Sequence, residues 1–161
     1  MSQPSSRPQP GNEHPDVLHT LGHGIPAPDL PDLDRLALLV VDVQRGFDDA
    51  DLLITKHVNS CFHGKPGLHQ WLHDQELQGI VIAGITTNHC CETTARVGAN
   101  LGHHVVFVLD ATHTFDRPAP DGTMVGADQL AAVTAANLHG EFAAVANTHH
   151  LLDAAGHSTR A

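Results

Sequence analysis

Three side chains whose types suit covalent chemistry stand just past short apolar runs. Asp42 closes the run Leu36-Ala37-Leu38-Leu39-Val40-Val41, and Lys56 closes Leu52-Leu53-Ile54-Thr55. Cys90 follows Ile80-Val81-Ile82-Ala83 after a turn from Gly84 to His89. Asp110 closes a further run, Val105-Val106-Phe107-Val108-Leu109. Open parallel α/β sheets bind ligands beyond the carboxyl ends of their strands, so these residues are expected on one rim. A carboxylate, an ammonium and a thiol gathered there suit nucleophilic catalysis. If Cys90 opens a helix, the unpaired N–H groups and positive end of that helix stabilise a thiolate and can hold an oxyanion. The bland alternative is an ordinary charged rim, since strand ends often carry a lone Asp or Lys. Asp110 is open to both readings, as a rim group or as a cap on its own loop through Thr112.

Placing these groups on one rim requires parallel strands joined by helices. The apolar runs lack alternation, which is the pattern of strands buried on both faces. A fifth run, Phe142-Ala143-Ala144-Val145-Ala146, is weaker. Pro66 precedes a helical pattern that puts Leu68, Trp71 and Leu72 on one face. Cys90 to Leu101 forms a second helix stopped by Gly102, with Cys91 turned into the helix–sheet contact and Cys61 simply packed. Asp128 is expected to cap a third helix that buries Leu130, Val133 and Leu138. Strand, helix, strand in this rhythm predicts an α/β fold. The domain spans 34–156, after a proline-rich tail over 1–33 and before a short tail over 157–161.

The whole chain of 161 residues suits one domain. Its net charge is −10 with histidine neutral, and its eight Lys and Arg are scattered. Nucleic-acid binders cluster such charge, so a small-molecule partner is expected and nucleic acid is not. No apolar run approaches a bilayer's width, so no membrane partner is expected. Three cysteines, two of them adjacent, make a poor disulfide framework, and reduced thiols point to the cytoplasm.

Longer stretches around these residues resemble the isochorismatase-like cysteine hydrolases. Leu39-Val40-Val41-Asp42-Val43-Gln44-Arg45-Gly46-Phe47 is similar to that family's first-strand motif, and Lys56-His57-Val58-Asn59-Ser60-Cys61-Phe62 to its lysine motif, with Cys61 where Ala is usual. Gly84-Ile85-Thr86-Thr87-Asn88-His89-Cys90-Cys91-Glu92-Thr93-Thr94-Ala95 resembles the nucleophile motif, and the similarity continues through Phe115-Asp116-Arg117 to Asn137–Phe142. The resemblance implies a Rossmann-like three-layer α/β/α fold with a mostly parallel sheet. It implies a triad of Asp42, Lys56 and Cys90 and an oxyanion hole from the N–H groups of Thr86 and Cys90. It also implies a cis bond between Ile85 and Thr86, and Gln44 and Phe47 lining a substrate pocket. The implied reaction is hydrolysis of a C–N bond in a small amide through a thioester, without a cofactor, in a homo-oligomer.

One departure bears on all of this. The family places a helix, a strand and a long loop between the Asp and Lys motifs, whereas here Asp48-Asp49-Ala50 runs almost directly into Asp51-Leu52-Leu53. The fold is therefore expected to be shortened by one helix and one strand. The nicotinamidase branch carries its metal ligands in that segment, so no metal site of that kind is expected. Parallel strands need a crossover of about a dozen residues or more. The lysine run must therefore move, pair antiparallel or cease to be a strand. Loss of cover also exposes apolar sheet. Two competitors remain: a catalytically inactive member that only binds or oligomerises, and metal binding through His19–His23 or His69–His73, whose i,i+4 spacing lacks further ligands.

Overall fold

The computed structural model describes residues 25–42 and 51–158. Gln44, Phe47, the His19–His23 pair, most of the proline-rich segment and residues 159–161 lie outside the described residues. Four strands form the central sheet: β1 (Leu36–Val41), β2 (Gly79–Ile85), β3 (His104–His113) and β6 (Ala144–Ala146), in the order β1-β2-β3-β6 and parallel throughout. A small antiparallel hairpin, β4 (Arg117–Pro118) with β5 (Met124–Val125), follows β3. The crossovers carry helices α1 (Leu68–Asp74), α2 (Glu92–Asn100) and α3 (Ala127–Leu138), and α4 (Thr148–Ser158) follows β6. These are the helix-bearing connections that parallel pairing needs.

The sheet separates two apolar layers, because successive strand residues face opposite ways. Val41, Ile80, Ile82, Val105, Phe107, Leu109 and Val145 face one side and pack with Leu68 and Leu72 of α1, Ala95 of α2, and Ala131 and Leu138 of α3. Val81, Val106, Val108 and Ala146 face the other side, toward Leu151 of α4 and Leu30. The unalternated runs at β2 and β3 are thus buried on both faces. β1 departs from that expectation: Leu38 is 69% exposed and Val40 39% exposed. β1 is an edge strand whose second face has no helix over it among the described residues. Each side chain so exposed forgoes up to about 1.5–3 kcal/mol of burial.

The lysine run forms no sheet strand. Thr55 makes an isolated antiparallel bridge with Lys65, through N–H···O bonds of 2.8 and 2.9 Å. A 3-10 turn at Cys61–His63 follows, capped by Ser60 Oγ, which accepts from the Phe62 N–H. The Cys61 N–H donates to Thr94 Oγ1 on α2 at 3.1 Å, and Phe62 packs where a Cβ on Gly98 would stand. The run has no place in the sheet, yet these anchors pin the segment that follows it to α2.

Three helical details differ from expectation. The turn that carries Cys90 begins earlier, at Thr87, with five-residue π spacing before α2. α3 starts at Ala127 after Gly126, and the acceptor for its Ala127 N–H is Asp116 Oδ1 at 2.8 Å, with Asp128 inside the first turn. α3 buries Ala131, Thr134 and Leu138, while Val133 is 52% exposed. The Thr134 hydroxyl donates to Glu92 Oε2 at 2.8 Å, and the small Ala131 permits close approach, so a polar contact sets the face that turns inward.

Asp110 also differs: its Oδ1 accepts from the N–H (2.8 Å) and the hydroxyl (3.0 Å) of Thr148, the first residue of α4. It caps a distant helix rather than its own loop. Asp110→Ala is expected to cost about 1 kcal/mol. That should lower the melting temperature by roughly 2–8 °C in a thermal denaturation scan.

Candidate active site

β1 ends at Val41, and Asp42 leaves it with φ of 56°. Asp is among the residues that tolerate this left-handed region. Just before it, Val41 pairs with Gly84 of β2, so the ends of the two strands meet. Gly84 has φ of +117°, and a Cβ there would collide with the backbone oxygen and nitrogen of Val41. Beyond Gly84 the Ile85–Thr86 peptide is cis. The next turn, Thr87–Cys91, is held by two hydroxyl contacts to β3 and the residue beyond it. Thr87 Oγ1 donates to Thr112 Oγ1 at 3.0 Å, and Thr114 Oγ1 donates to Asn88 Oδ1 at 2.6 Å.

Asp42, Lys56 and Cys90 come together at this end of the sheet. Lys56 Nζ lies 2.6 Å from Asp42 Oδ1 and donates to Cys90 Sγ at 3.5 Å. Lys56 therefore reaches both partners although its own segment is no strand. The Thr86 carbonyl accepts from the N–H groups of His89 (3.1 Å) and Cys91 (3.2 Å), so the bonds closing the turn skip the Cys90 N–H. Turns with π spacing recur at functional sites. Cys61 and Cys91 are buried, whereas Cys90 is half-buried.

The electrostatics correct one expectation. Burial pulls the Asp42 carboxyl up, but hydrogen bonds with Cys90 and Lys56, together with the Lys56 charge, outweigh it and hold Asp42 below the ordinary carboxylate value. Burial pulls the Lys56 ammonium down, but Asp42 outweighs that and raises it. Asp42 and Lys56 thus form a charged pair. The Cys90 thiol is not a ready thiolate: burial, then the hydrogen bond and charge of Asp42, push it up, and Lys56 only partly offsets them. The buried Cys91 thiol is pushed up to about 12, first by burial.

Two rim groups carry no signal in the sequence spacing. Asn59, three residues beyond Lys56, has its Oδ1 3.9 Å from Cys90 Sγ. It lies within the lysine motif, but nothing there marks it as facing the thiol. Arg117 Nη1 donates toward the His89 ring, 2.8 Å from Nε2 and 3.1 Å from Nδ1. Of the histidines considered as ligands, His69 shares a 2.8 Å hydrogen bond with His103. Among the described residues, no group of three or more His, Cys, Asp or Glu is arranged to hold a metal ion. A cleft of about 640 Å³ lies at the opposite ends of β3 and β6, against His104, His139 and Phe142, and so is separate from Cys90.

Residues 47–138 match the isochorismatase domain, and the chain belongs to the isochorismatase family. The match includes Lys56 and Cys90, while β1 and Asp42 precede it. The chain is 37% identical over 105 residues to the isochorismatase family protein YrdC of Bacillus subtilis (strain 168), covering 65% of this chain and 56% of that one. It is 31% identical over 87 residues to Nicotinamidase 3 of Arabidopsis thaliana, covering 54% and 43%. Among solved structures, it is similar to an isochorismatase-family protein from Chromobacterium violaceum, with a TM-score of 0.61, 34% identity and coverage of 65% and 53%. It is also similar to a cysteine hydrolase from Pseudomonas syringae pv. phaseolicola, with a TM-score of 0.60, 28% identity and coverage of 64% and 48%. The chain spans about half the length of the relatives it matches. Among the described residues, no helix is long and apolar enough to cross a membrane.

Proposed function

We propose that the chain is a cysteine hydrolase that cleaves the C–N bond of a small amide through a thioester on Cys90. The observation that carries this reading is the convergence of Asp42, Lys56 and Cys90, at 2.6 and 3.5 Å, where the strands end. The similarity to a nicotinamidase and to a cysteine hydrolase supports it. Cys90 Sγ attacks the carbonyl carbon as its proton passes to Asp42. The N–H groups of Thr86 and Cys90 receive the oxyanion. On collapse the C–N bond breaks, and Asp42 returns the proton to the leaving nitrogen. Water then attacks the thioester, giving one proton to Asp42, which restores the Cys90 thiol as the acid departs. Lys56 keeps Asp42 ionised between these transfers.

Because the thiol is raised, deprotonation belongs to the attack itself and not to the resting state. We also propose a cytoplasmic homo-oligomer, supported by three free thiols and by the exposed Leu38 and Val40 of β1. Incubating the full chain with a panel of small amides should release ammonia or amine, and Cys90→Ser should abolish it. Mass spectrometry of quenched reactions should show the acyl adduct on Cys90. Absence of turnover across the panel would instead favour a family member that only binds or associates.

A further inference from the structure

We propose that His69 and His103 form a two-histidine chelate for a divalent transition-metal ion that favours right-angled coordination, the class of Ni²⁺ and Cu²⁺, away from the hydrolase site. Spacing in the sequence pairs His69 with His73, but in the fold His69 Nδ1 meets His103 Nε2 at 2.8 Å, across 34 residues. His69 lies in the first turn of α1. His103 immediately precedes β3, at the end where the strands begin, whereas Cys90 stands where they finish. The pair has no part in the proposed amide chemistry, so it is a second site on the chain.

Two imidazole nitrogens this close share either a proton or a metal ion. In a neutral pair one ring donates and the other accepts. When the donor ring gives that proton to solvent and takes one at its other nitrogen, both lone pairs face the same space and the net charge is unchanged. Metal–imidazole bonds are about 2.0–2.1 Å long, so nitrogens at neighbouring corners of a square lie about 2.8–3.0 Å apart, and those of a tetrahedron about 3.3–3.4 Å apart. The 2.8 Å between His69 and His103 fits the right angle. Square-planar and tetragonal coordination by nitrogen and oxygen suits Cu²⁺ and Ni²⁺, whereas Zn²⁺ sites are tetrahedral. Among the described residues no third His, Cys, Asp or Glu joins the pair, so water completes the sphere.

Both rings are placed by the fold. His103 stacks on Phe62, with 5.5 Å between ring centres and 19° between planes. Its backbone N–H donates to the Gly98 carbonyl of α2 at 3.0 Å. Leu68, the neighbour of His69, is buried in the core and fixes the start of α1. The His69 ring stands edge-on to His103 at 5.0 Å and is exposed, so it is free to turn its lone pair toward an incoming ion. His103 also lines the cleft of about 640 Å³, which gives an ion a path from solvent. The net charge of −10 draws cations toward the chain. Phe62 belongs to the turn that follows the lysine segment. An ion held here therefore ties α1 to the entry of β3 and, through the stacked ring, to that turn.

The test is a calorimetric titration of the untagged full chain with Ni²⁺, chosen over Cu²⁺ because Cu²⁺ oxidises thiols. Saturable binding is expected. His69→Gln and His103→Gln should each weaken it by about tenfold or more, since even the groups that orient a ligand are worth that much. His73→Gln should leave it unchanged. His69 is exposed, so His69→Gln keeps the result readable should His103→Gln unfold the chain. In thermal scans Ni²⁺ should raise the melting temperature of the unaltered protein more than that of His69→Gln. Absence of saturable binding, or an equal weakening in His73→Gln, leaves the pair as a hydrogen bond only and overturns the chelate. Binding that persists in both His69→Gln and His103→Gln and vanishes in Cys90→Ser overturns it too, by placing the ion on the thiol. None of these outcomes depends on amide turnover, so the chelate and the hydrolase reading stand or fall separately.

Discussion

Asp42→Asn should abolish most turnover while making Cys90 alkylate faster at neutral pH. The two effects have opposite signs because Asp42 does two things. As the proton acceptor in the proposed reaction, its loss should cost about a hundred- to ten-thousand-fold in kcat/KM. As a negative neighbour, it adds to the burial that raises the Cys90 thiol. Removing its charge leaves Lys56 unopposed beside the sulfur, so the thiol must fall. For each tenfold gain in thiolate, a sulfur loses only about threefold in intrinsic nucleophilicity, so alkylation below the midpoint still accelerates. Iodoacetamide rates across pH should place the Asp42→Asn midpoint below that of the unaltered protein. An unchanged melting temperature separates this result from a loosened fold, which would also lower the midpoint by relieving burial of the sulfur. Retention of turnover within tenfold, or a midpoint that rises, would remove Asp42 from the mechanism.

The same balance of local and distant effects decides what the sequence reveals. The strand runs at β2 and β3 are legible because central strands are apolar on both faces wherever they lie. The rim position of Asp42 and Cys90 follows from where their strands stop. The run at β1 looks identical, yet Leu38 and Val40 are exposed, because cover depends on an element elsewhere in the chain. Leu52–Thr55 is apolar enough for a strand, but pairing needs a free edge and a suitable connection, and neither is written in four residues. The state of the Cys90 thiol is hidden for a similar reason. Lys56 argues for a thiolate, but burial and Asp42 outweigh it at short range. Asp110 shows the same limit, since its partner Thr148 lies 38 residues away.

Gly84→Ala should be the most destabilising single change near the site. The new Cβ would stand against the backbone oxygen and nitrogen of Val41, on a residue whose φ is +117°. Backbone strain of this kind costs about 1–3 kcal/mol. Forcing a methyl into packed space adds about 1–3 kcal/mol. Neither neighbour can yield cheaply, because Val41 is paired in register with Gly84 and buried in the core. A combined loss of about 2–6 kcal/mol should lower the melting temperature by roughly 4 °C at the least and by more than 10 °C at the upper end. The damage also reaches the chemistry. Asp42 follows Val41 directly, and Cys90 lies six residues beyond Gly84, so parting β1 from β2 here separates the proton acceptor from the sulfur. Protein that still folds should therefore lose turnover and show a Cys90 alkylation midpoint shifted in the same downward direction as Asp42→Asn. A Gly84→Ala protein that melts within about 2 °C of the original and keeps its alkylation profile would mean that this close strand contact does not set the distance between Asp42 and Cys90.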